Sequence, residues 1–107
     1  MPAAKKDTTR EDEREAPIQV KGLEIPDVPK RVIASAIRDR IERGVYPEGE
    51  MLPSLVRLEA MTGGTARGTI RAALKILADD GYLRSVIGMG TTILPRKYWG
   101  HPEMVPK

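Results

Sequence analysis

The sequence predicts a mainly α-helical fold closed by a small β-hairpin. Three observations point there. Apolar residues recur at helical spacing around residues 29–43 and again around 66–80. Two adjacent glycines, Gly63 and Gly64, interrupt the chain shortly before the second of these segments. Beyond it, two β-rich runs flank a Gly-x-Gly turn in "YLRSVIGMGTTIL". Two helices joined by a short glycine-bearing turn make a helix-turn-helix, and a hairpin after them makes a wing. The expected fold is a winged helix-turn-helix.

Each element has a local reason. In "PKRVIASAIRDRIERG", Ile33, Ile37 and Ile41 stand four apart and share one face, while Arg38, Asp39, Glu42 and Arg43 take the other. Gly44 follows as a stop. The connector "VYPEGEMLPS" holds two prolines and a glycine, and Ser54 at its end suits the N-cap of a second helix, "LVRLEAM". Leu55, Leu58 and Met61 form the buried side of that helix. After "TGGT", a third helix is expected from about Ala66 to Asp80, with Ile70, Ala73, Leu74 and Leu77 as its apolar stripe.

The ends carry no such pattern. Residues 1–26 mix both charge signs with few apolar side chains, so they are expected to form a flexible tail. Residues 27–95 are expected to make up the folded domain. Residues 96–107, with three prolines just before and within them, are expected to form a C-terminal tail that Tyr98 or Trp99 pins.

The chain of 107 residues allows one small domain with a modest core, since phenylalanine is absent. Charge placement says more than the net +3. Residues 1–30 carry six bases against seven acids, whereas residues 31–99 carry eleven against seven. Positive charge on the folding part favours a polyanionic partner. The absence of cysteine excludes disulfides, thiolate metal sites and cysteine nucleophiles. No signal-type or membrane-length apolar run occurs, so a soluble cytoplasmic protein is expected.

The third helix is charged against its own dipole. Arg67 and Arg71 sit near its start and Asp79 and Asp80 at its end, whereas a helix favours acids first and bases last. Projected at 100° per residue, Arg67, Arg71 and Lys75 form one basic stripe, flanked by the small residues Gly68 and Ala72. Such a face fits a DNA major groove, with donors for base edges and phosphates and no bulk between them. Alone, such a stripe is more often just a solvated face, and it is the turn before it and the Gly-x-Gly hairpin after it that favour DNA.

The segments "IASAIRDRIERGVYPEGEMLPS", "ARGTIRAALKILADDGYL" and "GMGTTIL" together resemble the DNA-binding domain of the GntR family of bacterial transcription regulators. The resemblance covers about Pro29 to Leu94. It implies a winged helix-turn-helix that binds palindromic double-stranded DNA operators as a homodimer, usually as a repressor. The family's recognition-helix motif falls on Arg67, Thr69 and Arg71, and its wing motif on Gly88, Gly90 and Thr91. Ser54 matches the serine opening the second helix, where amide and hydroxyl meet phosphate.

Departures from the family pattern are specific. Leu55 and Val56 replace a glutamate and an arginine, leaving Arg57 as a partial substitute. The turn is one residue longer, and Ala66 replaces the customary serine, which leaves Thr65 as the expected cap. The wing, "SVIGMG", is apolar where the family is basic. Thirteen residues follow Leu94, so no effector domain is expected within this chain. The DNA-contact set implied is Ser54, Arg57, Thr65, Arg67, Gly68, Thr69, Arg71, Lys75, Gly88, Gly90 and Thr91.

Two rival classes were weighed. A winged helix also serves as a protein-interaction module, and the apolar wing with Tyr98 and Trp99 lends that alternative some weight. An enzyme would need a nucleophile with a base, paired carboxylates or a metal cluster. The single histidine, His101, has no evident partner, and Asp79 and Asp80 point to different helix faces. No catalytic, metal or cofactor residues are expected.

Overall fold

The computed structural model describes residues 13–14, 16–18, 28–86 and 90–106. Among the described residues the helices of the domain are α1 Val28–Glu42, α2 Leu55–Met61 and α3 Arg67–Asp79, with Glu13 and Arg14 also helical ahead of them. Two antiparallel strands follow, β1 Leu83–Val86 and β2 Gly90–Ile93, and then two single 3₁₀ turns at Arg96–Tyr98 and Pro102–Met104. Helix order, hairpin and turn all agree with the winged helix-turn-helix expected from the sequence.

The core lies where the periodicity put it. Ile33, Ile37 and Ile41 of α1 meet Leu58 of α2 and Ile70, Ala73 and Leu77 of α3, all almost completely buried. Leu55 and Leu74 lie at its margin, half-exposed. Gly44 ends α1 with a positive φ of 82°, as a helix stop requires. The hairpin pairs Leu83 with Ile93, Arg84 with Thr92, Ser85 with Thr91 and Val86 with Gly90. Alternation turns Leu83 and Ile93 into the core.

The connector does more than connect. Met51 bridges Thr92, Leu52 N–H donates to Thr91 O at 2.9 Å, and Ile93 N–H donates to Glu50 O at 2.9 Å. A short third strand edge therefore supports the wing, which as an isolated hairpin would be only marginally stable.

The described part of the N-terminal segment packs on the domain, where the sequence predicts a flexible tail, and the C-terminal residues are pinned through Trp99. Ile18, within the expected leader, is 5% exposed and belongs to the core, and its N–H donates to Met61 O at 2.9 Å. Arg40, itself 8% exposed, donates to Pro17 O at 3.1 Å and to the Tyr46 hydroxyl at 3.4 Å. A buried guanidinium needs acceptors, and this part of the leader supplies one. At the other end, Trp99 stacks on Tyr82 and donates Nε1–H to Leu94 O at 2.8 Å. Gly100 N–H donates to Asp80 O at 2.7 Å. A Cβ at Gly81 would overlap the Tyr98 carbonyl oxygen. The rest of the expected leader, residues 1–12, 15 and 19–26, lies outside the described residues.

Candidate nucleic-acid interface

The turn between α2 and α3 sets the angle of the basic stripe. Gly63 and Gly64 take φ of 74° and 91°, so two consecutive residues adopt the left-handed region that side chains disfavour. Thr62 ties the turn down, its hydroxyl donating to Leu58 O at 2.9 Å and Glu59 O at 3.1 Å.

Thr65 does not cap α3. Its hydroxyl donates backwards to Thr62 O at 3.0 Å, and the N-cap position belongs to Ala66, which makes no side-chain cap. The double-glycine turn places Thr65 one residue too early to reach the helix amides. No side chain therefore caps the first amides of α3, and Gly68 beside them has open space where a Cβ would be. Ser54, in contrast, caps α2 as expected, its Oγ accepting the Arg57 N–H at 3.3 Å.

Arg67, Gly68, Arg71 and Lys75 are all exposed on α3, and Thr69 is half-buried. Their electrostatic settings differ. Arg67 reaches Glu59 of α2 at 3.5 Å, and Lys75 pairs with Asp79 at 3.1 Å. Arg71 makes no ion pair or side-chain hydrogen bond with any described residue. At the far end, Asp80 lies 4.0 Å from Arg38 of α1. The wrong-way charges are therefore partly offset by neighbours, each exposed pair contributing at most about 1 kcal/mol.

Across from the stripe stands the wing. Gly90 has φ of 101°, and the Met51 methyl occupies the space a Cβ would need there. Arg71 and Lys75 share with Ser85 and Thr91 the wall of an open groove of about 370 Å³, floored by Leu74 and Leu83. The structure thus brings Arg71, Lys75 and Thr91 together. Ser54 and Arg57 line a different cleft, and Thr65 is drawn into the turn. Gly88, with the apolar wing tip Ile87 and Met89, lies outside the described residues. Sequence reading missed Ser85, although pairing the two hairpin runs puts it directly opposite Thr91.

Among the described residues no group of histidines and acids could hold a metal ion. No helix among them is long and apolar enough to cross a membrane.

A stripe of exposed basic residues along about two turns of the second helix of a helix-turn-helix, set beside a wing, defines a DNA-binding domain of the winged helix-turn-helix class. The chain belongs to the GntR family: the family model described as "Bacterial regulatory proteins, gntR family" matches residues 29–93. It is 39% identical over 66 residues to the HTH-type transcriptional regulator TreR of Bacillus subtilis, covering 62% of this chain and 27% of that protein. It is 33% identical over 91 residues to the HTH-type pyridoxine biosynthesis transcriptional regulator PdxR of Corynebacterium glutamicum, covering 85% of this chain and 20% of that protein. An uncharacterised HTH-type transcriptional regulator of Rhizobium meliloti, RB1450, is 43% identical over 63 residues, 59% of this chain and 25% of that protein. The chain thus spans about a quarter of the length of these relatives or less. No solved structure matches it. Family and relatives together support transcriptional regulation through DNA binding.

Proposed function

We propose that this protein represses transcription in the bacterial cytoplasm by occupying a palindromic operator as a pair of copies. In this reading α3 enters the major groove and the wing, residues 84–94, lies at the minor groove. The observation that carries it is Arg71. Its guanidinium is exposed, engages no described residue and stands at the middle of the stripe, opposite Thr91. A guanidinium with no partner to give up is suited to a bidentate contact with a guanine edge.

The remaining site residues take supporting roles. The uncapped amides at the start of α3, beside Gly68, suit a backbone phosphate, as does the hydroxyl of Ser54. Arg67 and Lys75 hold acidic neighbours loosely and can exchange them for phosphate. Thr69, Gly90 and Thr91 line the approach, and Gly88 continues the wing motif. If two copies bind, half-sites lie about one helical turn, roughly 10 base pairs, apart.

The test is a titration with operator-type and mixed-sequence duplexes at several salt concentrations. Salt-sensitive binding with a preference among sequences supports the proposal. Salt-insensitive or absent binding overturns it and favours the protein-interaction reading. That rival is weakened by Trp99, whose ring is engaged with Tyr82 inside the domain.

A further inference from the structure

Residues 13–14 and 16–18 lie outside the family-matched region, yet they are fastened to the domain. Glu13 accepts two hydrogen bonds from Arg43, at 2.9 and 3.2 Å. The Tyr46 hydroxyl donates to Arg14 O at 2.6 Å, and Ile18 closes the segment against the core. These contacts fix Arg14. Its Nε donates to Val45 O at 2.9 Å, and the other side of the guanidinium faces Glu50 at 3.4 Å.

Arg14 shares an open cleft of about 390 Å³ with Ser54 and Arg57, the residues that open α2. On α2 itself Val56 is 57% exposed, and its side chain can donate nothing. Ser54 and Arg57 from the start of α2 and Arg14 from a separate part of the chain therefore line one surface, where the sequence of α2 supplies a single basic residue. Among the described residues the ionic partner of Arg14 is the exposed carboxylate of Glu50, an ion pair worth little in water and easily exchanged. Arginine binds phosphate oxygens through the same planar fork that it uses for carboxylate.

We propose that Arg14 is a DNA backbone-phosphate contact, carried by the N-terminal segment onto the α2 side of the interface. Glu50 holds the guanidinium in place in the free protein and yields it to phosphate on binding. This rests on the DNA-binding reading of the α3 face. It assigns Arg14, and the described residues 13–14 and 16–18 that hold it, a role in gripping DNA that does not depend on base sequence.

The experiment measures the salt dependence of binding to an operator-type and a mixed-sequence duplex, using the full chain and two variants. Arg14→Gln is expected to weaken both duplexes alike and to lower the salt slope by about one unit. Glu50→Gln removes a competing carboxylate and is expected to tighten both. Melting curves beside the isotherms show whether each variant is folded. A folded Arg14→Gln with the parent's slope overturns the proposal. Should Arg14→Gln fail to fold, Glu50→Gln binding no tighter than the parent overturns it instead. A parent chain that binds neither duplex refutes the DNA-binding reading and this inference with it. A parent that binds while both variants match it refutes the inference alone.

Discussion

Trp99 lies flat against Tyr82, ring centroids 5.4 Å apart and planes 17° from parallel. The Arg96 guanidinium caps the other part of the arrangement, 4.6 Å from the centre of the Trp99 ring. Tyr82 sits between α3 and β1, at the point where the helix gives way to the hairpin. The C-terminal residues therefore brace the junction that sets the angle between the two. Trp99→Ala removes the stack, the bond to Leu94 O and part of the buried area. A loss of about 2 kcal/mol is expected for a half-buried ring, read as a lower melting temperature.

The same junction responds to alkali. Burial, then the hydrogen bond donated to Glu42 at 2.6 Å, raises the Tyr82 hydroxyl to about 12. Its folded value lies above the unfolded one of about 10, so folding favours the protonated phenol. That stabilisation is fully present below pH about 10 and is lost as pH rises through about 12. Ultraviolet titration of tyrosinate in the folded protein should show a late-titrating group, absent from Tyr82→Phe. A tyrosine spectrum that is unchanged by that substitution would count against the assignment.

On the α3 face, Arg71→Ala should cost roughly 1–3 kcal/mol of specific binding and relax preference at one base position. Lys75→Ala should weaken all sequences alike, with the salt slope lower by about one unit. Neither side chain is buried, so melting curves should stay close to the parent's. Arg67→Ala removes a dipole conflict but also the contact with Glu59, and its net effect on stability should fall within about 0.5 kcal/mol. Equal binding by Arg71→Ala and the parent would remove α3 as the reader.

The turn offers a fourth test. Gly64 has open space around the position of a Cβ, so Gly64→Ala clashes with nothing. Its φ of 91° nevertheless strains any L side chain, at a cost of about 1 kcal/mol or more. Chemical denaturation should register that loss. A neutral result would mean that the turn adopts another conformation in solution.

The helices were legible because their information is local. Ile33, Ile37 and Ile41, and then Ile70, Ala73 and Leu77, repeat at the period of the structure they form. Ser54 as a cap and the paired glycines as a turn are equally short-range signals. The missed features are long-range. Ile18 is one buried side chain in a charged stretch, and a single apolar residue has no period. The strand edge at 50–52 hides between Pro47 and Pro53, which read as a loop because nothing local names Thr92 as the bridge partner of Met51. Thr65 failed as a cap for a similar reason, since its hydroxyl direction depends on how the preceding turn folds. Of the site, the α3 stripe could be read from the sequence. The proximity of Arg14 to Ser54 and Arg57 could not, because it depends on chain segments far apart in sequence.

The bridge between Met51 and Thr92 also determines when the wing can exist. One edge of its small sheet is supplied by chain lying before α2 and the other two strands by chain lying after α3. The wing can mature only after the intervening helices have brought those segments together, and the loop-closure entropy must be met first. Opening the hairpin likewise frees Leu52 N–H from Thr91 O and Ile93 N–H from Glu50 O. These amides should exchange with solvent as one cooperative unit with the helical core, making the wing a late-assembling part of the domain and not a separately fraying one.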